Sequence, residues 1–245
     1  MQTEIATRLI TLETAHNVRH IGGYRTRDGR RTSEHFIRSS GLHRLTPESL
    51  GHLRERGLLT VIDLRSGKER EEFPTPELAP LGIHHVFAPV FESDASPTGL
   101  ANEFPGYATV YRTFLETGRE AYRTVLETVA TTGGGLLYHC AVGKDRTGVA
   151  TALLLDLVGV DDEQIIADFS ESAANLAPML PQWKEGMATR GMNPDQAETM
   201  MASNPEDMAS LLAHLRDTWG SAEGYFRDLG ITTETLDDAR ARLLA

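Results

Sequence analysis

GLLYHCAVGKDRTGVATALLLDLVGV, residues 135–160, decides the fold. Its first six residues, Gly135 to Cys140, form a short apolar run, the pattern of a strand buried on both faces of a parallel sheet. A polar loop with one glycine follows. From Thr147 onward the chain is apolar almost without interruption, as a buried helix requires. Strand, tight loop and helix in this order put successive backbone N–H groups and the positive end of a helix around one point, which makes an anion-binding concavity.

The residues inside that concavity carry chemistry. Cys140 is followed by five residues, then Arg146, then Thr147 and Gly148. Ala141, Val142, Gly143, Lys144 and Asp145 supply the loop whose amides face a bound phosphate, and Gly143 permits backbone conformations closed to other residues. The guanidinium of Arg146 offers a planar fork for two phosphate oxygens and keeps its charge at any working pH. A field that binds a phosphate dianion also favours a thiolate over a thiol, so one device holds the substrate and arms the attacking sulfur of Cys140. Thr147 is placed to donate a hydrogen bond to that sulfur, and His139 supports the loop from the strand end. The competing structural reading is a buried, inert cysteine at a strand end, a common fate of free cysteine. The register of Cys140, Arg146, Thr147 and Gly148 inside strand, loop and helix argues against it.

Working outward, Leu58 to Leu64 (LLTVIDL) and Ile83 to Val90 (IHHVFAPV) read as further buried strands, and His35 to Ser40 (HFIRSS) as another. Helices are expected over Glu103 to Glu116 and Arg119 to Thr131, between the last two long strands. Thr46-Pro47 opens a helix that Gly57 closes. Asp161 with Gln164 has the spacing of a capping box. His20 to Arg31 (HIGGYRTRDGRR) carries the turn signals of an irregular hairpin, and Arg25, Arg27, Arg30 and Arg31 read as a solvated turn. Asn175 to Asn204, rich in methionine, reads as helical pieces laid over the core, and two amphipathic helices close the chain. Alternation of strands and helices predicts an α/β fold with a central, mainly parallel sheet flanked by helices, in one domain spanning residues 1–245.

In such a sheet, ligand sites gather beyond the carboxyl ends of the strands. Asp63 and Cys140 both end strands, so Asp63 is the first candidate for the acid that protonates a departing oxygen. The alternative for Asp63 is a bond to Arg65 or to loop amides. Glu92 and Asp94, after the strand ending near Val90, are weaker candidates for the acid. Lys144 adds positive charge where a second phosphate of a substrate would sit. His84 and His85 are adjacent on a strand and point to opposite faces, so they do not share a metal.

HCAVGKDRTG resembles the signature of the protein-tyrosine-phosphatase superfamily, and its Lys-Asp pair is similar to that of the bacterial tyrosine and lipid phosphatases typified by mycobacterial tyrosine phosphatase B. NVRHIGGYRTRDGRR, FIRSSGL, VIDLRS and WGSAEGYFRDLGIT agree with that branch. The resemblance implies a cysteine-phosphatase fold, a phosphocysteine intermediate, a substrate that is a phosphorylated protein or a phosphoinositide, and no cofactor. It also implies a helical lid within residues 175–204, and it places the acid at Asp63. Rhodanese-like sulfur transfer and a silent phosphate-binding module are the alternatives. The first usually lacks this spacing to arginine, and the second usually loses the cysteine or the arginine.

Bulk composition fits this reading. The chain has 245 residues, 40% hydrophobic and 24% charged, with a formal net charge of −11. That charge argues against general affinity for nucleic acid or anionic lipid, while leaving room for a local basic pocket. A single cysteine excludes an intramolecular disulfide and a cysteine-rich zinc site. No run of roughly 18 apolar residues is present to span a membrane. No signal peptide is evident, and a reducing cytoplasm is the expected compartment.

Overall fold

The computed structural model describes residues 8–92, 105–189, 191 and 193–245. In chain order the elements begin with β1 (Arg19–His20), β2 (Phe36–Ser39), α1 (Pro47–Glu55), β3 (Leu58–Asp63), α2 (Gly67–Glu72) and β4 (His84–Phe87). They continue with α3 (Tyr107–Thr117), α4 (Arg119–Thr131), β5 (Gly135–His139), α5 (Asp145–Leu157) and α6 (Asp162–Leu176). The last five are α7 (Leu180–Thr189), α8 (Gln196–Met201), α9 (Pro205–Trp219), α10 (Ala222–Asp228) and α11 (Thr233–Leu243).

The five strands form one sheet in the order β1-β2-β5-β3-β4. Only β1 runs antiparallel to its neighbour, and the other pairs are parallel. The period-2 alternation of the strands sorts their side chains into two cores. Phe36, Ile62, Leu136 and Tyr138 join the larger core under the main helices, which includes Phe114, Leu126, Leu153, Leu212 and Leu243. Ile37, Val61 and Leu137 face the other way and pack with Leu50 and Leu53 of α1. Because β5 is central, the residue after it emerges at the middle of the sheet edge. Ser39, Asp63 and His139 stand in register, so β2, β3 and β5 all end there.

Local chemistry explains most boundaries. Thr46 caps α1, its hydroxyl accepting from the Ser49 amide at 3.1 Å, with Pro47 in the first turn. The helix expected from Glu103 begins at Tyr107, because Gly106 has φ of +83° and breaks the backbone path, while Glu103 itself lies outside the described residues. The capping box expected at Asp161 is a further correction. Asp161 precedes α6 but caps nothing with its side chain, which accepts from Nε of Arg27 at 2.9 Å. Gln164 instead brackets the backbone N–H and C=O of Arg25. Both side chains tie the hairpin at residues 25–31 to α6. Residues 175–204 are helical as expected, supplied by the end of α6, a short turn of 3₁₀ helix, α7 and α8. No helix among the described residues is long and apolar enough to cross a membrane.

Candidate active site

Cys140 leaves β5 at the centre of the sheet edge and is buried. What distinguishes the loop after it is the direction of its carbonyl groups. The Cys140 oxygen lies 3.1 Å from Nδ1 of His139, and the Ala141 oxygen accepts from the Gly41 amide at 2.9 Å. The Val142 and Gly143 oxygens accept from the side-chain amide of Asn17, at 3.4 and 2.9 Å. Gly143 also accepts from Nη2 of Arg38 at 2.9 Å, and the Lys144 oxygen from the Gly148 amide at 2.7 Å as α5 begins. Five consecutive carbonyls are therefore turned outward. The amides of Ala141, Val142, Gly143 and Lys144 donate to no other described residue, which is the arrangement of an anion nest.

Glycine is required at position 143. Its φ is +71°, and a Cβ there would lie 2.4 Å from the Ser39 carbonyl oxygen, so any side chain would collide with the end of β2. Asn17, which holds the same carbonyls, is the one non-glycine residue with positive φ among the described residues, at 56°. Asparagine tolerates that left-handed conformation better than most.

Arg146 sits in the first turn of α5, buried, with its guanidinium gripped by Glu69. Nη1 and Nη2 reach the two carboxylate oxygens at 2.6 and 2.7 Å. Burial works against the arginine's charge, but the bonds to Glu69 more than offset it and raise the pKa above the ordinary value. Of five N–H donors, two are taken by Glu69 and three remain for an oxyanion. Glu69 is fixed in turn by a capping box with Ser66 at the start of α2. Its own pKa is lowered: burial pushes it up, and the Arg146 bonds overcome this.

Beneath the loop lies a buried ionic cluster. Asp168 of α6 bonds both Arg38 and Arg19, and it accepts from the Tyr24 hydroxyl at 3.0 Å. Burial opposes its charge, yet Arg19 and Arg38 hold its pKa well below the carboxylate range. Asp168→Asn removes the carboxylate shared by two buried guanidinium groups and leaves Arg19 with Glu171 alone as carboxylate partner among the described residues, at 3.7 Å. We expect it to cost roughly 3–5 kcal/mol of stability and to loosen the Gly143 carbonyl through Arg38. The sign with pH follows from the depressed pKa. The native state binds fewer protons than the unfolded one below about pH 4, so the stabilisation is present above that pH and lost as acid is added. Chemical denaturation of both proteins at pH 7 and pH 3 checks this, with a smaller gap between them at pH 3.

Asp63, expected from the sequence as general acid, makes the bond to Arg65 that was the alternative for it. The side chain is fully buried, and Arg65 forks onto it, Nε to Oδ1 at 2.9 Å and Nη2 to Oδ2 at 2.7 Å. Burial raises its pKa, but Arg65 wins and holds it below the ordinary value. Lys144 also departs from expectation. Its ammonium is buried and donates to the carbonyls of Met200 and Ala202 at 2.6 and 2.8 Å, lies 3.9 Å over the Tyr107 ring, and faces Asp145 at 3.3 Å. It docks the end of α8 instead of extending toward a second phosphate. Val142 packs with Leu176 and Met201 on the same side, with Met179, Leu180 and Trp183 against them, so the end of α6, the start of α7 and the end of α8 meet at the loop.

Asp145 is partly exposed at the start of α5. Its Oδ1 accepts from the Tyr111 hydroxyl at 2.7 Å. Glu92 turns toward α2, its Oε2 accepting from the Gly67 amide at 3.2 Å, and Asp94 lies outside the described residues. The Thr147 hydroxyl is buried without a hydrogen-bond partner among the described residues, so the bond to sulfur expected from the sequence is not formed here. Glu69 was legible through its Ser66-x-x-Glu69 spacing and was missed. Asn17, Arg38 and Asp168 carry no local signal, because their roles depend on contacts more than a hundred residues away.

A buried cysteine at a central strand end, a loop whose carbonyls turn outward and an arginine braced by a carboxylate thus lie together at one edge of the sheet. A sequence profile of the tyrosine phosphatase family matches residues 10–245, and the chain belongs to that family, whose members are phosphoric monoester hydrolases. It is 32% identical over 231 residues to a putative tyrosine-protein phosphatase of Cupriavidus necator, covering 89% of this chain and 83% of that one. It is 29% identical over 250 residues to the triple specificity protein phosphatase PtpB of Mycobacterium tuberculosis, covering 85% and 90% of the two chains. Among solved structures, the Siw14 catalytic core aligns over 84% of this chain and 86% of that one at 17% identity, with a TM-score of 0.44.

Proposed function

We propose that this enzyme hydrolyses phosphotyrosine through a covalent phosphocysteine on Cys140. The observation that carries the reading is the loop from Cys140 to Arg146, with five carbonyls turned away and an arginine locked by Glu69. Preorganised donors of this kind stabilise the equatorial oxygens of a transferring phosphoryl group without reorganising during reaction. The thiolate attacks phosphorus, an S–P bond forms, and the ester O–P bond breaks. The departing oxygen takes a proton from Asp145, the carboxylate beside the loop that is neither clamped by an arginine nor fully buried. Water then attacks the phosphocysteine, gives its proton back to Asp145, and releases phosphate and thiolate.

Helices α7 and α8 act as a lid, with Lys144 as the contact between lid and loop. PtpB is named for triple specificity, and serine, threonine or inositol phosphates are the wider substrate set for this chain. The position of Lys144 favours the phosphotyrosine reading, since its ammonium is already held by the carbonyls of Met200 and Ala202 and by Asp145. The test compares kcat/KM for phosphotyrosine peptides, phosphoserine peptides and phosphoinositides, in wild type and in Lys144→Ala. We expect phosphotyrosine to lead and Lys144→Ala to lower all classes by a similar factor. Preference for phosphoinositides, lost selectively in Lys144→Ala, would overturn the assignment.

A further inference from the structure

On the face of the sheet away from the main helices, three side chains converge: Asp63 of β3, His85 of β4 and His139 of β5. Oδ2 of Asp63 lies 3.8 Å from Nε2 of His139 and 4.0 Å from Nε2 of His85, and the three atoms fall within 4.8 Å of one another. Neither Nε2 atom has a hydrogen-bond partner among the described residues, and His139 is completely buried. His84, its neighbour in sequence, is exposed and takes no part.

The tautomer of His139 follows from its other nitrogen. Nδ1 sits 3.1 Å from the Cys140 carbonyl oxygen, which only accepts, so Nδ1 carries the proton and Nε2 presents a lone pair. That lone pair faces a carboxylate oxygen with nothing donated between them. Two acceptors held against each other in a buried site are unfavourable until a cation or a donor joins them. We propose that Asp63, His85 and His139 form a binding site for a divalent late first-row transition metal ion, of which Zn2+ is the representative.

The donor set fits. Two neutral imidazoles and a carboxylate are the ligands of many three-residue metal sites with an open position. Metal–ligand bonds of about 2.0–2.2 Å in a tetrahedron place the donors about 3.3–3.6 Å apart, so the Asp63 contacts at 3.8 and 4.0 Å close by roughly half an ångström and the two imidazole nitrogens, within 4.8 Å, by at most about 1.5 Å. The Nδ1 contact of His139 to a backbone carbonyl is the usual outer support that orients a ligating histidine. Arg65 holds one edge of Asp63 and already compensates its charge, which places this site among exchangeable sites, weaker than structural zinc. The side chain of His85 is 21% exposed and provides the approach. Because His139 also holds the Cys140 carbonyl, an ion bound here is coupled to the backbone of the nucleophile.

A cysteine thiolate binds zinc by itself, so the experiment uses full-length Cys140→Ser. Calorimetric titration with Zn2+ is expected to show one site and a raised melting temperature. Co2+ is expected to give visible ligand-field bands without a thiolate charge-transfer band. In the Cys140→Ser background, His85→Gln is expected to weaken binding by at least tenfold, with circular dichroism and the metal-free melting temperature reporting that the variant folds. Asp63→Asn gives a second check on the ligand set. Absence of Zn2+ binding to Cys140→Ser overturns the proposal. So does a folded His85→Gln that binds as tightly as its parent, which would locate the ion elsewhere. Phosphatase activity enters neither readout, so failure here leaves the assignment of Cys140 and Arg146 standing.

Discussion

Cys140→Ser is expected to abolish phosphate release, with a loss on the order of 10⁴-fold or more, because removing a nucleophile leaves only binding and electrostatic terms. A serine hydroxyl fits the same space but stays protonated at neutral pH, and no base is positioned beside it. The loop should survive the change. Its shape rests on Asn17, Gly41, Arg38 and the start of α5, all of which hold the loop through its backbone carbonyls. Oxyanion affinity, measured with tungstate or a phosphotyrosine peptide, is therefore expected to stay close to wild type while turnover vanishes. A phosphoenzyme trapped by rapid acid quench from wild type, and missing from Cys140→Ser, identifies the covalent step. Turnover within tenfold of wild type in the serine variant would rule out the phosphocysteine.

The loop was legible in the sequence because its requirements are local. A strand, a glycine needing positive φ, and an arginine in the first helical turn all lie within residues 135–148, and each leaves a mark on residue type. The centre of the sheet was legible for the same reason, since β3 and β5 are apolar runs bounded by turns, whereas β2 (FIRS) carries polar residues and β4 (HHVF), expected to be buried, is an edge strand with exposed and half-buried residues. β1 has only two residues, too short for any periodicity. The supports of the loop were hidden for a different reason. Arg19, Arg38 and Asp168 look like ordinary surface charges in sequence, and only burial beneath the loop makes them a matched cluster. Lys144 and Asp63 illustrate the opposite difficulty, because a position in sequence does not say where a charged end is already engaged. Lys144 is spent on the carbonyls of Met200 and Ala202, and Asp63 on Arg65.

That distinction sets the second large effect, which separates Asp145 from Asp63 as proton donor. An acid matters most when the leaving group is poor, so the two carboxylates predict different patterns across substrates. Asp145→Asn is expected to slow phosphotyrosine hydrolysis by roughly 10²–10⁴-fold, the range of general acid catalysis. It should slow an aryl phosphate with a strongly acidic phenol far less, because that group departs without a proton. The isosteric amide still accepts from Tyr111 at Oδ1, so the start of α5 keeps its anchor. Asp63→Asn removes the charge that compensates Arg65 in a site with no exposure. Its cost should appear as lost stability, and as a rate reduction of similar size for good and poor leaving groups. A steep dependence on leaving-group pKa, measured across a phenyl phosphate series, is thus expected for Asp145→Asn, with a flat offset for Asp63→Asn. The reverse pattern would return the acid to Asp63 and require Arg65 to swing away during catalysis. Equal, flat losses in both variants would leave the proton to water and remove Asp145 from the chemistry.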